Sequence, residues 1–137
     1  MSRVMFASHG GLSKGMKDSV SMIVGDLAKD VETYSLLPGQ NPEDFYQEVL
    51  KEAKESEEQI VILCDIKGGS VHTALSKLAV LDNVMVFSGM NMGLVLDAVM
   101  KGLNGKLELA EANDLIEAAK DGMTVMNGMT SEDDEDF

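Results

Sequence analysis

Basic side chains are the first thing this sequence is short of. Eleven lysines and arginines stand against 24 acids in 137 residues, giving a formal charge of −13. Nucleic-acid phosphates select basic surface, so no nucleic-acid partner is expected. A basic protein partner, or simply solubility, fits the charge better. Cysteine occurs once, at Cys64. No internal disulfide can form, which fits a reducing cytoplasm. No apolar run approaches the length that spans a bilayer. Ser8, His9 and two glycines also interrupt the first apolar run before it could read as a signal peptide, so no direct membrane insertion is expected. Two phosphate-binding signatures are missing as well. No G-x-x-x-x-G-K-[ST] follows Gly10, and G-x-G-x-x-G is absent from the first turn, which argues against an NTPase P-loop and a dinucleotide site.

What remains alternates regularly. Val4 to Ala7 reads as a strand, and Leu12, Met16, Val20, Ile23 and Leu27 then repeat at helical spacing. Val31 to Leu37 is a second strand. The turn Pro38 to Pro42 leads into a helix with Asn41 as N-cap and proline at its first position. Phe45, Val49 and Ala53 carry that helix. Gln59 to Cys64 is the continuous apolar run of a central parallel strand. A third helix follows with Val71, Leu75, Leu78 and Ala79 inward. Asn83 to Phe87 is a fourth strand, and helices follow from Met92 to Lys101 and from Leu107 to Lys120. The pattern predicts a single-domain, doubly wound α/β fold over residues 1–128, with a mostly parallel four-stranded sheet flanked by helices. Met123 to Met126 is a candidate short edge strand. Residues 129–137 are expected to form a disordered acidic tail, with five acids from Glu132 to Asp136.

Right-handed crossovers put every strand carboxyl end on one edge, where such sheets bind ligands. Three polar, glycine-bearing loops fall there: Ser8 to Gly11, Asp65 to Ser70, and Ser88 to Asn91. His9 is either a strand-end histidine satisfied by backbone groups or a nucleophile or general base. Asp65, at the end of the neighbouring strand, is the natural acceptor to fix its tautomer, or else a turn cap. Gly10 leaves room for another molecule beside His9. Gly68, Gly69 and Ser70 open a helix whose N–H groups suit an anion such as phosphate, and Ser70 also reads as an ordinary N-cap. Ser88, Gly89 and Asn91 are candidates to close the pocket, with Asn91 equally a helix cap. Cys64 lacks the arginine-closed loop of a cysteine phosphatase and reads as a buried thiol. An aspartate-phosphorylated receiver would need an acidic pair where Ser8-His9 stands. A metal site would need His9 and His72 to converge with acids, and His72 reads as a solvated or rim residue. Nothing in these residues requires a cofactor or metal ion.

Ala7-Ser8-His9-Gly10, Ser21-Met22-Ile23-Val24-Gly25, Asp65-x-x-Gly68-Gly69-Ser70 and Ser88-Gly89-x-Asn91 together resemble the enzyme IIA domain of the mannose/fructose/sorbose class of the bacterial sugar phosphotransferase system. The resemblance covers roughly residues 3–122. It implies a cytoplasmic homodimer and a phosphoryl relay. The histidine at His9 would accept phosphate from the phosphocarrier HPr and pass it to a IIB protein, with membrane IIC and IID components in the wider complex. Asp65 would orient the ring, and Ser70 with nearby backbone donors would hold the phosphoryl group. The chain departs from the family pattern at Lys67, Val71, Thr73 and Gly93, all around the pocket. With an acidic tail in place of a longer C-terminal segment, IIB is expected on a separate chain. The apolar residues around Met92 to Val99 or Met123 to Met129 are candidates for the dimer interface. A regulatory module phosphorylated on His9 without moving sugar, or a binding module for a small anion, would share the same residues.

Overall fold

The computed structural model describes residues 2–128. Strand β1 (Ser2–His9) leads into helix α1 (Leu12–Val24), which tightens into a 3-10 turn over Gly25–Ala28. Strand β2 (Glu32–Leu36), helix α2 (Pro42–Lys54) and strand β3 (Gln59–Cys64) follow. Helix α3 (Ser70–Leu75) runs on as a 3-10 segment (Ser76–Val80) to strand β4 (Val84–Phe87), and helices α4 (Met92–Asn104) and α5 (Leu109–Asp121) complete the described chain. The sheet is wholly parallel, in the order β2-β1-β3-β4. The chain steps one way from β1 to β2, then back across β1 to β3. The carboxyl ends of β1 and β3 therefore flank the topological switch point, where open α/β sheets bind their ligands.

Successive residues of the two central strands feed opposite cores, as a period of two requires. Val4, Phe6, Val61 and Leu63 pack against Met16 and Val20 of α1 and against the buried faces of α4 and α5. Met5, Ala7, Ile60, Ile62 and Cys64 pack against Val49 and Ala53 of α2 and Val71, Leu75 and Leu78 of the α3 segment. The strands β1 and β3 are thus covered on both sides, which is why β3 reads as an unbroken apolar run. Asn41 caps α2 by accepting the Glu43 N–H at 3.0 Å, as its sequence position predicts. Arg3 reaches Glu32 and Glu52, each at 2.8 Å, and so ties α2 to the first two strands.

Four expectations need correction. The α1 stripe is shifted: Leu12, Ile23 and Leu27 are exposed, whereas Ser13, Met16 and Val20 are buried. The Ser13 hydroxyl is drawn inward because it donates to the Tyr34 carbonyl at 2.9 Å beside Ser35. The tighter turn after Val24 then rotates Leu27 outward and brings Ala28 in. Ala79 is exposed for the same reason, because α3 becomes 3-10 at Ser76. Four of the apolar residues named on α4, Leu94, Val95, Ala98 and Val99, are buried in the chain's own core and are not surface candidates for an interface. Finally, Met123 to Met126 forms no strand; the segment leaves α5 without joining the sheet, and its apolar side chains stay exposed. The tail over 129–137 lies outside the described residues.

The sheet edge opposite the loops is closed by a buried amide. Gln59 Oε1 accepts from the Ser2 hydroxyl at 2.7 Å and from the Leu107 N–H at 2.8 Å, while its Nε2 donates to the Leu107 carbonyl at 2.8 Å. Both polar atoms of the Leu107 backbone depend on this one side chain. Gln59→Leu is expected to cost about 3 kcal/mol, because it strands a buried N–H and a buried C=O at once. Urea unfolding of the two proteins checks this, and a loss below about 1 kcal/mol would mean that water replaces the amide.

Candidate active site

At the carboxyl end of β1, pairing holds as far as His9, opposite Leu36. Gly10 then donates its N–H to the Leu36 carbonyl at 2.8 Å and turns the chain at a φ of 57°, in the left-handed region. Glycine takes this conformation with little strain. Buried Ser8 ties the turn to α1: its hydroxyl donates to the Gly10 carbonyl at 3.2 Å and accepts the Ser13 N–H at 2.8 Å. No side chain at Gly11 caps α1, so Ser8 does that from three residues upstream.

Asp65 follows β3 and continues its ladder by donating its N–H to the Ala7 carbonyl at 3.1 Å. Its Oδ2 accepts the His9 backbone N–H at 2.8 Å and lies 2.8 Å from His9 Nδ1, while Oδ1 accepts the Ile66 N–H at 2.9 Å. Burial pushes the Asp65 pKa up. The hydrogen bonds from the His9 backbone and ring and from Ile66, with the attraction of the His9 ring, more than offset this and hold it below its ordinary value. An ionised carboxylate only accepts, so Nδ1 carries the hydrogen. The lone pair of a neutral His9 ring is then on Nε2, which lies 3.0 Å from Ser70 Oγ. Only 8% of the Asp65 side chain is exposed, against 47% of the His9 ring. The carboxylate is covered, whereas about half of the histidine side chain reaches solvent.

Gly68 and Gly69 bring the second loop against this ring. Gly68 has a φ of 80°. A methyl group at Gly69 would stand 2.7 Å from Ile66 Cγ2 and 3.2 Å from His9 Cε1, so a side chain there would press on the imidazole. The structure thus brings together His9, Asp65, Gly10, Gly68, Gly69 and Ser70. The third loop reaches the same strand end through its backbone, where Met90 donates its N–H to the Cys64 carbonyl at 2.9 Å, one residue before Asp65. Asn91 accepts the Leu94 N–H at 3.0 Å and donates to the Gly89 carbonyl at 3.2 Å, which makes it the cap of α4. Ser88, Gly89 and Asn91 line a crevice of about 130 Å³ with Leu94, Ile116 and Ala119. Sequence reading also underrated His72, whose ring accepts the Gly68 N–H at 3.1 Å. Its spacing of four from Gly68 was the only available signal. Burial, and next the Asp65 charge, raise the Cys64 thiol pKa to about 12, which leaves it inert. Among the described residues, no group of three His, Cys, Asp or Glu side chains gathers within reach of one metal ion.

The chain matches known proteins along most of its length. The family model for the PTS system fructose IIA component, EIIA-man, matches residues 3–120. A sorbose-specific PTS EIIA component of Klebsiella pneumoniae is 32% identical over 101 residues, covering 72% of this chain and 73% of that protein. A PTS IIA protein associated with the fucose utilization operon of Streptococcus pneumoniae superposes with a TM-score of 0.72 at 26% identity, covering 91% of this chain and 96% of that one. A mannose/sorbose-specific IIA subunit from Enterococcus faecalis gives a TM-score of 0.75 at 19% identity, covering 94% and 97%, and shows the same fold.

The lowered Asp65 pKa fixes the sign of a stability effect. A carboxylate that titrates lower in the folded than in the unfolded chain adds stability above its unfolded pKa, and this is lost as pH falls through the folded value. Wild type should therefore exceed Asp65→Asn in unfolding free energy near neutral pH, with the gap closing on acidification. A gap that stays constant from neutral pH to below the ordinary carboxylate range would disprove an ionised, hydrogen-bonded Asp65.

Proposed function

The chain belongs to the EIIA-man family of phosphotransferase-system IIA components, and we propose that within this role His9 is its phosphoryl carrier. The observation that carries the reading is the paired contact of one ring, with Nδ1 on buried Asp65 at 2.8 Å and Nε2 open beside Ser70. Phosphate arrives on a histidine of HPr. The Nε2 lone pair attacks phosphorus as the donor P–N bond breaks, and that electron pair returns to the HPr ring. The His9 ring gains positive charge while Nδ1 keeps its hydrogen, and the Asp65 carboxylate offsets that charge without moving a proton. The Ser70 hydroxyl, released from Nε2, turns to a phosphoryl oxygen. The same steps in reverse pass the group to a histidine of a separate IIB protein. In-line phosphoryl passage needs chiefly positioning and charge stabilisation, which this small set of groups supplies.

The setting is cytoplasmic, alongside membrane IIC and IID components. Among the described residues, no helix is long and apolar enough to cross a membrane. The protein acts as a homodimer. Met123, Val125 and Met126 support this, because they follow α5 exposed on a single chain, Val125 at 90%. Sedimentation of Val125→Asp/Met126→Asp should show dissociation to monomers at concentrations where wild type is dimeric; an unchanged mass would remove this segment from the interface.

Incubation with phospho-HPr, followed by intact-mass analysis, should show one acid-labile phosphoryl adduct on wild type and none on His9→Ala. An undiminished adduct on His9→Ala would sink the relay. Added IIB proteins should then discharge the phosphorylated chain. Phosphorylation without discharge to any IIB would instead support a regulatory role for the same histidine.

A further inference from the structure

His72, in the first turn of α3, is engaged in a way that the transfer step does not itself use. Its Nδ1 accepts the Gly68 N–H at 3.1 Å. The next residue completes a clamp: Thr73 Oγ1 donates to the Gly68 carbonyl at 3.3 Å, and the Thr73 N–H donates to the Gly69 carbonyl at 2.8 Å. Both polar backbone atoms of Gly68 are therefore held by side chains of the helix that follows. Gly68 has a φ of 80°, where a glycine has much freedom to lose. Gly69 lies between this clamp and the His9 ring edge. Ser70, whose hydroxyl meets Nε2, is the next residue along.

We propose that His72 is a positioning residue for phosphoryl transfer at His9, acting through the Gly68–Gly69 peptide; this rests on the relay reading above. Nδ1 of His72 accepts only when it carries no proton, so the ring is the neutral tautomer with hydrogen on Nε2. Without that acceptor the Gly68 N–H turns to water and the loop samples more conformations. The His9 ring and the Ser70 hydroxyl then spend less time in register with an incoming phosphorus. Misplacement of this kind slows transfer with little effect on folding, because the bond lies at the surface.

Two variants separate the hydrogen bond from bulk. His72→Asn keeps an acceptor at similar reach and a similar helix propensity, whereas His72→Leu keeps apolar volume without the acceptor. In single-turnover transfer from phospho-HPr, His72→Leu should be slower by roughly five- to tenfold, the worth of one hydrogen bond. His72→Asn should recover to within about twofold of wild type, and all three should melt together. Long-range proton–nitrogen NMR of the unphosphorylated protein should show His72 in the Nε2–H form, with the Gly68 amide resonance displaced in His72→Leu only. Wild-type speed in His72→Leu, a His72→Asn as slow as His72→Leu, or an Nδ1–H tautomer overturns the proposal. Failure of the relay itself looks different. A wild type that takes no phosphoryl group while His72 still shows the Nε2–H form removes the transfer role and leaves the loop clamp standing.

Discussion

One carboxylate oxygen holds the site together. Asp65 Oδ2 takes both the His9 backbone N–H and the His9 ring, each at 2.8 Å, and so ties the end of β1 to the end of β3. Parallel strands cannot be joined at their carboxyl ends by a tight turn, because their connections run the length of the sheet. The Asp65 N–H extends the ladder of β3 onto Ala7, and the Asp65 side chain then bridges to His9 beyond it. Once Asp65 does so, the tautomer of His9, the direction of Nε2 and the approach of Ser70 follow from the acceptor-only chemistry of the carboxylate. The surrounding fold serves that bridge. Both strands are covered by helices on both faces, which keeps the two ends in fixed register.

The fold was legible in the sequence because its strongest signals are long-period ones. The apolar run of β3 and the alternation of strands with helices survive any local change of phase. The errors came where a polar contact or a change of helix type shifts the phase by a residue. Ser13 is buried for its hydroxyl bonds, not its hydropathy, and the 3-10 turns after Val24 and Leu75 rotate Leu27 and Ala79 away from the core. Gln59 looked like the first residue of an apolar strand, but it is the amide on which the connection between α4 and α5 closes.

Most of the site was legible too, since a histidine, an aspartate and glycines at the ends of adjacent parallel strands must share one edge. The third loop falls on that edge as the topology demands and bonds to the Cys64 carbonyl through the Met90 N–H, while Asn91 caps α4 and Ser88 and Gly89 line a crevice against α5. His72 was missed because an imidazole bound to a backbone N–H four residues earlier leaves no mark beyond its spacing.

The open face of His9 carries a consequence for turnover. Asp65 occupies Nδ1 of the ring and only the small Ser70 hydroxyl meets Nε2, while nearly half of the side chain reaches solvent. On the relay reading, donor and acceptor proteins must bring their own histidines to the same point, so no ternary complex can form. The two half-reactions alternate in a ping-pong scheme, and excess of either unphosphorylated partner obstructs the other. Throughput then depends on how quickly each partner leaves, and an exposed site with few gripping groups favours rapid departure.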